Sequence, residues 1–225
     1  MNTEAEIKNY QEQELYAMPR IGDTAPDFEA ETTTGRMKLS EYLGDSWLLL
    51  FSHPADFTPV CTTEMSGFAQ RSEEFEKLNT KLLGLSIDSI HSHLAWVNNV
   101  REKTGVYLNF PIIADLDMNV AKLYGMLQPN ESQTAAVRAV FFIDPKMKIR
   151  LIMYYPLNVG RNMDEIVRAL TALQFSDEHK VAMPLDWQPG DKVIVPPPKT
   201  LEEMDDRIAD ESCEKVDFYL ARKSI

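Results

Sequence analysis

Two cysteines stand in this chain of 225 residues, Cys61 and Cys213, and the first keeps company that an inert core thiol does not need. It ends the stretch HPADFTPVC (53–61), which follows an apolar run, SWLLLFS (46–52). After it, apolar Met65, Phe68, Phe75 and Leu78 recur at helical spacings. Pro54 and Pro59 interrupt regular structure, so the pattern predicts strand, loop and helix, with Cys61 in the first helical turn. Backbone N–H groups there lack partners and the helix dipole is positive, which favours the thiolate, the nucleophilic form of cysteine. The dipole contributes at most about 2 kcal/mol, so a fixed cation is expected as well. Arg138, at the start of RAVFFID, and His53 can each supply one. Arginine is always charged and forks two hydrogen bonds onto one oxygen-bearing ligand. The plainer alternative for Arg138 is a surface residue at a strand end.

Other chemistry for Cys61 is weaker. The residue three positions on is Glu64, not a second cysteine, which disfavours a CxxC disulfide exchanger. Zinc asks for about four ligands at suitable spacing, and the chain has 4 histidines, scattered apart from His91 and His93. Those two are separated by one residue on a predicted helix and point apart. No metal is expected. A buried inert cysteine remains the plain alternative, and the Pro/Thr loop with its placement at a helix start argues against it.

Composition removes whole classes of function. The formal charge is −12, from 23 basic and 35 acidic side chains, a field that repels phosphate backbones with no basic cluster to offset it. No nucleic-acid partner is expected. No segment approaches the roughly 18 consecutive apolar residues of a membrane helix, so no membrane partner is expected either. The first 17 residues carry Glu4, Glu6, Glu12 and Glu14 in place of a basic start and an apolar middle, which is not a secretory signal. With so few cysteines a disulfide scaffold is excluded too, and the expected compartment is the reducing cytoplasm.

The elements that must position Cys61 follow in order. Residues 24–43 alternate around Thr34-Gly35 and predict a short hairpin. The runs 46–52 and 81–88 read as strands buried on both faces, with a helix from about Val60 to Leu78 between them. Ser89 is a candidate cap for a helix reaching Gly105, with Leu94, Val97 and Val100 turned inward. A short strand, 110–114, and a short helix, 118–124, stopped by Gly125, come next. The runs 137–143 and 149–155 flank DPKM as an antiparallel hairpin, and 162–175 is helical with Ile166, Val167, Leu170 and Leu173 on one face. This order predicts an α/β layered structure with a mixed central sheet, of the thioredoxin kind. Residues 1–17 form an N-terminal extension, 18–180 the main domain and 181–225 a C-terminal extension. In the last, a turn at 188–191 and the stiff Pro196-Pro197-Pro198 spacer precede an acidic helix, about Leu201 to Asp210. That extension is too small for a core of its own and is expected to pack on another surface, such as a second subunit.

Pro54-Ala55-Asp56-Phe57-Thr58-Pro59-Val60-Cys61 resembles the Pro-x-x-x-Thr-x-x-Cys signature of the peroxiredoxins. The longer FSHPADFTPVCTTE is similar to their one-cysteine branch, as are IGDTAPDFEAETTTGR, GDSWLLLFSHP, RAVFFIDP, GRNMDEIVRAL and MPLDWQPGDKVIVPP, in order, over about residues 18–198. The resemblance implies a thioredoxin-like fold and a hydroperoxide reductase that needs no cofactor. It makes Cys61 the peroxidatic nucleophile, with Thr58 bonded to its sulfur and to the peroxide. Pro54 then shields the pocket from water, Arg138 holds the thiolate and substrate oxygens, Glu64 and Arg161 orient that arginine, and His53 lies near the sulfur. The plain alternative for His53 is a loop residue whose ring the backbone satisfies.

Departures from the family pattern matter as much. Where two-cysteine members carry a resolving Val-Cys-Pro, this chain has Val181-Ala182-Met183-Pro184. Cys213 lies where some archaeal relatives place extra cysteines and is a candidate resolving thiol, or an incidental one. Animal one-cysteine members also have a phospholipase site. Here Ser46 is present, but Leu48 replaces the elbow glycine, and Ser40 and Lys146 stand at the histidine and acid positions, so that activity is not expected. The reading is a cytoplasmic thiol peroxidase for hydrogen peroxide and alkyl hydroperoxides. It serves antioxidant defence, is reduced by thioredoxin, glutathione or another thiol, and is at least a homodimer. The rival reading is a non-catalytic thioredoxin-fold redox sensor that signals through partner binding.

Overall fold

Strand β3 (Trp47–Ser52) is buried along its whole length, as its unbroken apolar run requires. It lies inside a mixed sheet, between β4 and β6, in the computed structural model, which describes residues 18–225. Among the described residues seven strands make that sheet, in the order β2-β1-β5-β4-β3-β6-β7. The strands are β1 (Glu29–Thr32), β2 (Gly35–Lys38), β4 (Thr80–Ser86), β5 (Ile112–Ala114), β6 (Arg138–Ile143) and β7 (Ile149–Tyr155). Neighbours β3, β4 and β5 run parallel, and the flanking pairs are antiparallel. The sequence hairpins are both present: β1 meets β2 across Thr33-Thr34, and β6 meets β7 across the DPKM turn.

Alternation along β3 separates two layers of core. Leu48 and Leu50 join Leu83, Leu85, Ile113, Phe141 and Ile143 on one face. On the other, Phe51 stacks on Phe68 with ring centroids 3.9 Å apart, and Phe110 meets Phe51 edge-on at 5.5 Å. Phe68 belongs to helix α2 (Pro59–Gln70), so this aromatic stack seats α2 over the centre of the sheet. Gly84 of β4 allows the close approach of that helix, since a Cβ there would meet Met65 Cε at 3.1 Å. Truncating such a buried phenylalanine costs about 3–5 kcal/mol. α2 therefore starts next to the C-terminal end of β3, where ligands bind in open α/β sheets.

Three expectations change in detail. The helix predicted over 60–78 is two, α2 and α3 (Ser72–Lys77), because Arg71 leaves helical geometry between them. In α4 (Ile90–Thr104) the Ser89 cap accepts from Ser92 N and Gly105 closes the helix at φ +76°, as predicted. Its buried residues are His93, Trp96 and Val100, however, while Leu94 is 48% exposed. The apolar pattern misleads there because a histidine with buried partners takes an inward position. In α6 (Met163–His179) the buried set is Ile166, Ala169, Leu170 and Ala172, with small alanines in place of Val167 and Leu173. The remaining short helices are α1 (Leu39–Leu43) and α5 (Asn119–Leu123), the latter followed by Gly125 at φ +62°.

The chain divides into two compact units, one ending at Met163 and the other Asp164–Ile225. The second holds most of α6, α7 (Leu201–Ala209) and an antiparallel sheet of β8 (Val193–Val195), β10 (Leu220–Lys223) and β9 (Glu214–Asp217). Residues 181–193 pack on α6 through an apolar cluster, Ala172 and Phe175 of the helix with Val181, Met183, Trp187 and Val193. Trp187 completes it by donating Nε1–H to Asp191 O across the predicted turn. The N-terminal extension, 1–17, lies outside the described residues.

Candidate active site

Thr58 caps α2 with extended backbone (φ −106°, ψ 149°) and Pro59 takes the first helical position, where a missing N–H loses nothing. Cys61 follows in the first turn and is fully buried. Arg138, the first residue of β6, reaches it with Nη1 3.4 Å from Sγ. The same nitrogen lies 2.6 Å from Glu64 Oε2. Nε and Nη2 of Arg138 both donate to Leu157 O, at 3.0 and 2.7 Å, so the guanidinium is held from two sides.

Glu64 also binds the second arginine. Its Oε1 accepts from Arg161 N and Nε, each at 2.8 Å, and its Oε2 from Nη2 at 2.8 Å. Arg161 Nη1 continues to Ser52 O and Ala139 O, both at 3.0 Å, tying the cluster to β3 and β6. Its guanidinium carbon stands 5.5 Å and 5.4 Å from the Phe51 and Phe68 ring centres, so the aromatic stack supports the charge. Burial alone would raise the Glu64 pKa; the charge and hydrogen bonds of Arg161, with Arg138 behind them, outweigh it and hold the carboxyl below its ordinary value. Among the described residues, two guanidinium groups share one carboxylate, which leaves one positive charge in excess, and Cys61 Sγ lies against it.

The sequence-predicted residues thus divide into two groups. Cys61, Arg138, Glu64 and Arg161 form one buried cluster. Thr58 stands beside it, but its single hydroxyl proton goes to Ala55 O at 2.9 Å, which leaves Oγ1 only its lone pairs to offer the sulfur or a substrate. Pro54 is half-buried in the loop. His53 belongs to a second cluster: its Nε2 lies 3.0 Å from Asp56 Oδ1, while its Nδ1 is buried without a partner among the described residues. The backbone does not satisfy that ring, contrary to the plainer expectation. Cys213 lies in the second unit, buried, with Sγ donating to Asp210 Oδ2 at 3.3 Å.

Asp56 and His93 were not singled out for function from sequence. His93, fully buried on α4, has Nδ1 2.8 Å from Asp56 Oδ2 and Nε2 3.0 Å from Ile113 O. Among the described residues, His53, Asp56 and His93 are the one group whose ligand atoms lie near enough together for a metal ion, within 4.8 Å. Each of these contacts is also at direct hydrogen-bond distance. The available signal was a histidine at a helix position that the apolar pattern assigns to the surface.

Comparison with known proteins gives two family matches. Residues 21–152 match the AhpC/TSA family, and residues 172–210 match the C-terminal domain of 1-Cys peroxiredoxin. A peroxiredoxin 2 from Caldanaerobacter subterraneus subsp. tengcongensis is 54% identical over 92% of this chain and 94% of its own length. A Methanosarcina mazei peroxiredoxin is 51% identical over 92% of this chain and 98% of its own. Among solved structures, a yeast mitochondrial 1-Cys peroxiredoxin, described with a thiol-resolving mechanism via glutathione/thioredoxin systems, superposes with TM-score 0.83. It has 46% identity and covers 92% of this chain and 100% of that one. A cysteine-to-serine mutant of the Arenicola marina peroxiredoxin 6 gives TM-score 0.83 at 38% identity, covering 92% and 98%.

Proposed function

The chain belongs to the AhpC/TSA family, in its one-cysteine branch, and from that premise we propose that Cys61 is the residue that attacks the peroxide. The activity itself is that of a thiol-dependent peroxidase. The observation that carries the assignment is the Arg138 nitrogen shared between Cys61 Sγ and Glu64, at 3.4 and 2.6 Å. In the reaction, the Cys61 thiolate attacks the terminal oxygen of hydrogen peroxide or an alkyl hydroperoxide. The S–O bond forms as the O–O bond breaks, the leaving oxygen takes a proton to become water or an alcohol, and the cysteine becomes a sulfenic acid.

Negative charge spreads over sulfur and both oxygens in that transition state. A guanidinium already fixed by Leu157 O and Glu64 needs no reorganisation to stabilise it. Thr58 Oγ1, with its proton engaged, offers lone pairs to the peroxide hydrogen. Pro54 limits water at the mouth of the pocket. The sulfenic acid is then reduced by an external thiol, a reading supported by the alanine of Val181-Ala182-Met183-Pro184 and by the engaged thiol of Cys213. The yeast relative's resolution through glutathione/thioredoxin systems supports it as well. The enzyme works as a homodimer or a higher homo-oligomer in antioxidant defence in the cytoplasm; among the described residues no helix is long and apolar enough to cross a membrane.

Stopped-flow mixing with hydrogen peroxide and with an alkyl hydroperoxide tests this. Mass mapping should find the first oxidation on Cys61, and Cys61→Ser should remove turnover while keeping the fold, because serine forms no nucleophilic anion near neutral pH. Turnover retained by that variant overturns the assignment.

A further inference from the structure

A carbonyl oxygen can only accept a hydrogen bond, so the His93 Nε2 that lies 3.0 Å from Ile113 O carries a proton. The other ring nitrogen, Nδ1, faces Asp56 Oδ2 at 2.8 Å and Oδ1 at 3.0 Å, with both side chains buried. Two bare acceptors do not approach so closely away from water, so a second proton lies between them. Burial would raise the Asp56 pKa, but the hydrogen bonds of His53 and His93 outweigh it and hold the carboxyl far below the usual range. Asp56 is thus held as a carboxylate.

The state of His53 follows. A carboxylate brings no proton of its own, so the 3.0 Å contact from His53 Nε2 to Asp56 Oδ1 uses a ring N–H. Burial pushes the His53 pKa down, against the opposing pull of Asp56, so the ring is neutral and its Nδ1 is bare. That Nδ1 is buried and has no partner among the described residues. The titratable groups around His53 are Asp56 in its own loop, His93 on α4 and Asp88 after β4. Asp88 in turn accepts from Asp56 N at 3.0 Å and so steadies the loop. Trp96 covers the ring of His53 at a centroid distance of 5.1 Å.

We infer that His93 is a positioning residue for peroxide reduction: by holding Asp56 it fixes the tautomer of His53, which keeps an unprotonated Nδ1 in the loop that leads to Cys61. This rests on the reading of Cys61 as the peroxide-attacking residue. The device resembles in principle a buried carboxylate that sets a catalytic imidazole's tautomer, where an amide in its place gives the wrong one. The arrangement also explains why a polar ring occupies an inward helix position at the cost of an apolar contact.

The test uses the reduced full-length protein with ¹⁵N-labelled histidine. Its imidazole spectrum reports the protonation of each ring nitrogen without turnover. In the wild type, His53 Nδ1 is expected bare. In His93→Leu, Asp56 loses a donor and takes up a proton as the pH is lowered; it then donates to His53 Nε2 and moves the ring proton to Nδ1. The expected kinetic effect is a fall in kcat/KM for peroxide of roughly tenfold or more between about pH 8 and about pH 6, relative to the wild-type profile. His93→Asn, whose amide can still donate to Asp56, should recover much of the rate and the wild-type tautomer. Asp56→Asn, which presents N–H to His53, should invert the tautomer and lower the rate, and it decides the matter if His93→Leu does not fold. A wild-type spectrum with Nδ1 protonated overturns the inference. So does a folded variant with unchanged tautomer, or one whose tautomer inverts with no loss of rate. Loss of the Cys61 assignment would show separately, as turnover retained in Cys61→Ser.

Discussion

Cys61 and Glu64 sit one helical turn apart on the same face of α2, and a single nitrogen, Arg138 Nη1, bonds both. The three-residue spacing is what lets one guanidinium serve a thiol and a carboxylate together. Lysine carries the same charge without the fork: its ammonium cannot hold Leu157 O, Glu64 and the sulfur in one plane. Arg138→Lys is therefore expected to lower kcat/KM for peroxide by a factor of ten or more, about 1.4 kcal/mol or more in the transition state. Steady-state assays with saturating reductant check this. A rate near that of the wild type would show that another cation activates Cys61.

Glu64 is the residue whose neutralisation should be felt in stability. In Glu64→Gln two buried guanidinium groups lose their shared counter-ion, and removing one member of such a buried pair costs about 3–5 kcal/mol. The pH dependence has a definite sign. Glu64 has its folded pKa depressed, so its contribution is present above the unfolded value, roughly 4.3, and is lost as the pH falls through the folded one. Urea melts should show the wild type losing stability below about pH 4.5, with a shallower slope in Glu64→Gln. Parallel slopes would assign the acid sensitivity to other carboxyls.

The serine that lines up with a lipase elbow should be silent. Ser46 Oγ donates to Asn79 Oδ1 at 3.0 Å, Ser40 is bonded to Asp27, and Lys146 is exposed. None of these supplies an imidazole base with an orienting carboxylate. Phospholipid hydrolysis at acidic pH is expected to be undetectable, and Ser46→Ala to leave peroxide turnover unchanged. Fatty-acid release that depends on Ser46 would contradict this.

The cluster around Cys61 was legible because its chemistry is local in sequence. Strand, proline-broken loop and helix start lie within residues 46–64, and Arg138 begins the strand that pairs with β3. The second cluster was not legible. Asp56 reads as a loop residue and His93 as one polar residue of a helix, and they meet only because α4 brings its His93–Trp96 face toward the end of β3. Nothing in the spacing of residues 53, 56 and 93 records that encounter. The break at Arg71 was hidden for a different reason: apolar residues continue at helical spacings on both sides, so periodicity alone carries the helix through it.

Cys213 is the only other thiol in the chain, so its part in the cycle decides how the enzyme is reduced. Its Sγ donates to Asp210 Oδ2 at 3.3 Å, and a thiol that gives its proton to a carboxylate is not the ionised form that attacks a sulfenic acid. The segment around it is also fastened. Lys215, two residues on, bonds the carbonyl groups of Arg207, Ile208 and Asp210 at the end of α7 and continues into β9. Using Cys213 as a resolving thiol would mean breaking that cap and stripping the thiol of its partner. An external thiol faces neither requirement. Cys213→Ser is accordingly expected to leave peroxide turnover with an added small-molecule or protein thiol within about twofold of the wild type, well under the factor of ten that 1.4 kcal/mol would produce. After one equivalent of peroxide, a non-reducing gel with peptide mass mapping should show Cys61 as sulfenic acid or as a mixed disulfide with the added thiol. A near-stoichiometric Cys61–Cys213 bridge between chains, lost in Cys213→Ser together with turnover, would make Cys213 the resolving residue instead.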